Sequence, residues 1–171
     1  HPVNVCVGGF YKAPDPEALK ALLPEIDACL DLMCKLTVYL AEHVTFPDFE
    51  RDYEFVALCP DEGYSMNLGR IKSNKGLDVS QEDFGKAIEE QHVEHSTSLH
   101  SIIKGRGEYL VGPLARLNLK NENLHPRALE ILPKVCKLLG KPLPWRNNFY
   151  SLPARGIETI HALALAADII R

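Results

Sequence analysis

The chain has 171 residues, 46% of them hydrophobic and 25% charged, and a formal net charge of −4. Such a composition supports a packed core and argues against disorder. With no cluster of Lys and Arg, nucleic acid is a poor partner, and no apolar run reaches the roughly 18 residues of a membrane span.

Residues 1–12, "HPVNVCVGGFYK", alternate apolar and polar, which predicts a short strand or extended arm. Asp15-Pro16-Glu17 supplies a helix cap, a first-turn proline and an early acid. Leu19, Leu22, Leu23, Ile26, Leu30, Met33, Leu36 and Leu40 then recur at helical spacing to about Glu42, with Pro24 expected to kink or restart the helix. Residues 53–59, 64–68 and 71–77 are strand-like and are divided by turn residues, giving two or three short antiparallel strands. Ser80 is expected to start a helix over about 81–95, and 108–111 to form another strand. Gly112-Pro113 reads as a break leading into a polar loop. His125-Pro126 opens a helix over 126–139 that stops at Gly140. Ser151 is expected to cap a last helix over 152–170. The sum is an α+β chain, mainly helical with a small antiparallel sheet, and residues 1–171 form a single structural unit.

Five cysteines, at 6, 29, 34, 59 and 136, have irregular spacing and no Cys-x-x-Cys among them. They read as reduced thiols, mostly buried, of a cytoplasmic protein. No Gly-Lys-Ser/Thr phosphate loop and no Gly-x-Ser-x-Gly elbow is present. On the last helix Arg155, Glu158, His161 and Asp168 share one stripe, opposite an apolar stripe of Ile157, Ile160, Ala164, Ala167 and Ile170. Two readings stay open: a solvated face with an Arg–Glu pair, or a polar face turned toward a buried site. Glu158-x-x-His161 has a twin in Glu89-x-x-His92. Paired Glu-x-x-His turns build di-iron sites in four-helix bundles, so a di-iron carboxylate protein is a rival reading.

Four segments, "HPVNVCVGG", "VEHS", "EYLVGPLARLNL" and "ARGIETIHALALAADII", occur in an order and spacing that resemble the large (alpha) subunit of nickel–iron hydrogenases. The likeness is to the cytosolic multisubunit group that reduces NAD(P), a deazaflavin or disulfide-linked partners, and it covers essentially the whole chain. A weaker kinship is with the quinone-site subunit of respiratory complex I, which would make the chain a non-catalytic helical interaction module.

The hydrogenase resemblance implies that this is a central scaffold segment of a larger subunit. The full-length activity would be reversible H2 oxidation, with electrons passed to a soluble acceptor. The nickel–iron centre would be held by two Cys-x-x-Cys pairs, which this sequence lacks. No catalytic, cofactor-binding or metal-ligating residue is therefore assigned here, and the segment alone is expected to be inactive. The start at His1-Pro2 fits an excised piece. Arg116, Asn118, Arg155, Glu158 and His161 are the residues that would shape scaffold behind the metal ligands. The implied partners are the rest of the large subunit and an iron–sulfur small subunit, and self-association is expected of the isolated segment.

Overall fold

The computed structural model describes residues 12–171 and, for the backbone, residues 5, 6, 9 and 10. Strands β1 (Val5–Cys6) and β2 (Gly9–Phe10) pair antiparallel. The remainder of the arm expected over 1–12 falls almost wholly outside the described residues.

Helix α1 (Pro16–Lys20) begins as the sequence predicts, with the Asp15 carboxylate accepting from the Glu17 N–H at 3.1 Å. Pro24 then marks a restart. It occupies the first turn of α2 (Leu23–His43), where no helical N–H partner is lost. Three strands follow, β3 (Val56–Cys59), β4 (Arg70–Ser73) and β5 (Asp78–Val79), in one antiparallel sheet of order β3-β4-β5. The strand expected at 64–68 is absent. Tyr64 and Ser65 are buried there in irregular backbone.

The helix expected over 81–95 shrinks to α3 (Phe84–Ala87), which gives way to β6 (Ile88–Gln91). β6 pairs antiparallel with β7 (His100–Ile103), and Ile88 faces Ile103 across the ladder. Both isoleucines are buried with Val56, Ile71 and Leu77 in a small second core. That burial outweighs the helical propensity of "GKAIEEQ". The strand expected at 108–111 is an extended stretch bridged in parallel to β3's entry through Phe55 and Leu110.

Gly112-Pro113 is a helix start rather than a break. Gly112 adopts φ 95°, open to glycine, and Pro113 occupies the first turn of α4 (Pro113–Lys120). α5 (Pro126–Leu139) has the predicted bounds and ends on Gly140 at φ 64°. α6 (Ser151–Ile170) incorporates Ser151 instead of being capped by it; its N-cap is Tyr150, without a side-chain hydrogen bond. α6 packs against α2, α4 and α5. Its residues Ala154, Ile157, Ile160 and Ala164 are the centre of the main core, with Leu114, Leu117, Val135 and Trp145 around them. Among the described residues no helix is long and apolar enough to cross a membrane.

Candidate functional site: a buried polar clamp between α4 and α6

Because α6 is packed against α2, α4 and α5, the middle of its polar stripe is not solvated, while Arg155 and Asp168 at the two ends stay exposed. Glu158 is 6% exposed and His161 5%. A carboxylate in that setting needs partners, and α4 supplies the main one. Arg116 donates from Nε to Glu158 Oε1 at 2.7 Å and from Nη2 to Oε2 at 2.6 Å. This planar fork is the strongest geometry available to a guanidinium and a carboxylate. The Tyr64 hydroxyl donates to Glu158 Oε1 at 2.8 Å, so the carboxylate accepts three hydrogen bonds from two other segments.

The surroundings bias each group. The hydrogen bonds to Glu158 hold the Arg116 guanidinium above its ordinary pKa. Burial, then the neighbouring Glu158, pushes the Tyr64 phenol well above its ordinary range, so it stays a donor. His161 lies against the Tyr64 ring, centroids 4.9 Å apart. Burial first, and then the nearby His125, lowers its pKa. Its Nδ1 accepts the His125 backbone N–H at 2.9 Å, which places the neutral ring's proton on Nε2. His125 in turn caps α5: its Nδ1 accepts from the Arg127 N–H at 3.1 Å, and its Nε2 lies 3.0 Å from Asp168 Oδ2.

Of the residues the sequence singles out, the structure thus brings together Arg116, Glu158 and His161. Asn118, two residues on and so on roughly the opposite side of α4, has a different task. Its amide donates to the Trp145 carbonyl at 2.8 Å and its carbonyl accepts the Trp145 N–H at 2.9 Å, pinning the loop before α6. Arg155 is exposed and forms no ion pair among the described residues. Tyr64 was missed, because a tyrosine in "DEGYSMN" carries no periodic signal and its partner lies 94 residues away.

The di-iron rival fails on geometry. Glu89 is on strand β6 and His92 beyond its end, so they do not share a helix face with ligand spacing. Glu158 is already committed to Arg116. No group of three or more His, Cys, Asp or Glu among the described residues is placed to hold a metal. Cys34 is buried, Cys59 and Cys136 are half-buried, and Cys29, contrary to expectation, is exposed. Burial pushes the thiols of Cys34, Cys59 and Cys136 up, away from the thiolate that soft metals require. These side chains therefore do not fit a nickel–iron centre.

What remains is an α+β chain whose central helix is locked to α4 and to the start of α5 by buried, hydrogen-bonded polar groups. No protein-family profile matches the chain. Over 171 residues, 99% of this chain, it is 27% identical to the sulfhydrogenase 1 subunit alpha of Pyrococcus furiosus, and it spans 39% of that relative's length. The identity, weak but carried along nearly the whole chain, supports a relationship to hydrogenase alpha subunits.

Proposed function

We propose that these 171 residues form one structural unit inside the large subunit of a nickel–iron hydrogenase. In this reading the full-length protein oxidises and evolves H2 in the cytoplasm, beside an iron–sulfur small subunit, and passes electrons to a soluble acceptor. The nickel–iron centre is carried by other parts of that protein, since the side chains described here do not suit it. The role of this segment is to hold shape. Arg116, Glu158 and His161 fix α4, α5 and α6 against one another. Asn118 fixes the loop that leads into α6, and exposed Arg155 is left for a neighbouring segment.

One observation carries the reading. The Arg116–Glu158 fork joins "EYLVGPLARLNL" to "ARGIETIHALALAADII", the two most specific elements of the hydrogenase resemblance. Alignment to a hydrogenase alpha subunit along the same stretch supports it further. The test uses the full-length gene product, purified anaerobically. Its nickel content and its H2-dependent reduction of benzyl viologen are measured, and its coding sequence is read for two Cys-x-x-Cys pairs. Nickel and viologen reduction are expected together. A full-length product with neither the cysteine pairs nor hydrogen-dependent reduction overturns the assignment.

A further inference from the structure

α6 is apolar on the side it shows to water as well as on the side it buries. Leu152, Ala162, Leu165 and Ile169 are exposed, Ile169 at 77%, and Ala166 is half-buried among them. At 100° per residue the five lie within about 140° of one another around the helix. The stripe runs from Leu152 to Ile169, about 26 Å along the axis. Two polar residues interrupt it. Thr159 donates its hydroxyl to the Arg155 carbonyl at 2.9 Å, so that donor is satisfied within the helix. The other is Arg155 itself. A helix that is apolar on both sides is stable where protein, or lipid, covers both. α6 is not long and apolar enough to cross a membrane, which leaves protein.

Arg155 narrows the kind of protein surface. Its nearest acid on the helix, Glu158, is held in the fork with Arg116, and Arg155 forms no ion pair among the described residues. Under a purely apolar cover its guanidinium would lose water and gain no partner. A carboxylate opposite it would instead form the fork that arginine favours. The stripe has no acid of its own. Two copies of α6 laid antiparallel about Ala162 would set Arg155 against Ile169, and laid parallel would set it against its own counterpart. A second copy of this chain is therefore the wrong occupant. The sulfhydrogenase alpha subunit offers another source, since this chain spans only 39% of its length.

We propose that the exposed face of α6 seats a helix from the rest of the full-length subunit, with apolar residues along its seam and one Asp or Glu opposite Arg155. A stripe of this length suits a helix laid alongside it. Ala162 and Ala166 carry only methyl groups and let the two backbones approach, with Leu152, Leu165 and Ile169 flanking them. The pair at Arg155 sets the register. This rests on the reading of the chain as part of a larger hydrogenase subunit.

Zero-length cross-linking of the full-length gene product tests it. In an Arg155→Lys variant a carbodiimide joins the new amine to a carboxylate that touches it, and peptide mass spectrometry identifies that carboxylate. Mixing copies labelled with light and heavy nitrogen separates links within one polypeptide from links between two. The expected product joins position 155 to one Asp or Glu of the same polypeptide, outside these 171 residues. A link to an acid inside them, to a second copy or to another protein, or no link at all, would overturn the proposal. Ala162→Trp gives a second readout. Under a seated helix the indole has no room, and the melting temperature of the full-length product should fall by about 3 °C or more. An unchanged melting temperature would mean a free face and would also overturn the proposal. Nickel content and viologen reduction are measured on the same preparations. A product that holds nickel and oxidises H2 without the cross-link loses this proposal and keeps the hydrogenase reading, and a cross-linked product with neither does the reverse.

Discussion

Arg116 on α4 and Glu158 on α6, 42 residues apart, meet through two parallel hydrogen bonds of 2.7 and 2.6 Å. The pair is asymmetric in exposure, with the carboxylate side chain at 8% and the guanidinium at 26%. Removing the arginine therefore strands a buried charge with only the Tyr64 hydroxyl to support it. Arg116→Ala should cost about 3 kcal/mol or more in urea unfolding. Arg116→Lys should fall between it and the parent, because a lysine cannot form the fork. A joint Arg116→Met, Glu158→Met variant should cost less than the two single changes added together. A loss below about 1 kcal/mol for Arg116→Ala would show the pair to behave as an ordinary surface bridge.

The second prediction concerns pH. His161 has a lowered pKa in the folded chain, from burial and from His125, with Glu158 opposing. The other polar groups around it are the Tyr64 phenol and, through His125, Asp168. The unfolded chain therefore takes up the proton first as pH falls. Stability from this residue is full above the ordinary histidine value of 6.5 and declines below it, until the folded ring protonates too. The slope is at most about 1.4 kcal/mol per pH unit. His161→Asn keeps an acceptor for the His125 N–H but does not titrate. Urea midpoints at pH 7.5 and 5.5 should differ less in that variant than in the parent, and an identical difference would remove His161 as the cause.

These contacts also show how far the sequence could be read. α5 was legible to its ends, because Pro126 at its start and Gly140 at its close are local signals with local mechanisms. α4 carries the same proline signal at Pro113, yet the preceding Gly112 made it look like a break. β6 and β7 were hidden because the pairing of Ile88 with Ile103 is a non-local contact that overrides a helix-forming stretch. On α6 the sequence showed the polar stripe but not its direction. Which face of a helix is covered depends on what packs there, and α4, which supplies Arg116, reads in the sequence as a break and a polar loop.

Third, the α2–α6 crossing is tight at Gly156. A Cβ built there would stand 2.6 Å from Thr37 Oγ1 and 2.8 Å from its Cγ2. Thr37 is fully buried and its hydroxyl has no hydrogen-bond partner among the described residues. Gly156→Ala should destabilise despite a helix-propensity gain of about 1 kcal/mol. Thr37→Val, the same shape without the orphan hydroxyl, should raise the melting temperature, with a gain of about 1 kcal/mol. A stabilising Gly156→Ala would mean that the two helices separate freely at this point.

Fourth, the single tryptophan reports on Asn118. Trp145 is 1% exposed, and Asn118 holds both its backbone N–H and its carbonyl. In the parent its fluorescence should be blue-shifted and resist acrylamide quenching. Asn118→Ala leaves two backbone groups unpaired, at a cost of about 2 kcal/mol, and should red-shift the emission and open it to quencher under native conditions. Unchanged emission and quenching would show that the loop is held by tryptophan packing alone.

The last prediction concerns α2, which is apolar on two opposite sides. Leu30, Cys34, Thr37 and Ala41 face inward, while Leu32, Leu36 and Tyr39 are exposed at spacing i, i+4, i+7. At 100° per residue the second set forms its own stripe, roughly opposite the first. Within a hydrogenase large subunit, as proposed, neighbouring segments of the protein would cover it. Alone, the 171-residue chain leaves it to water, and burying a side chain such as Leu32, 63% exposed, favours association by about 1–2 kcal/mol. Sedimentation velocity of the isolated chain should show concentration-dependent association. Leu32→Glu with Tyr39→Lys should restore a monomer without lowering the melting temperature, since neither side chain belongs to the core. If the parent chain stays monomeric at tens of micromolar, or the double variant still associates, the stripe is not the contact.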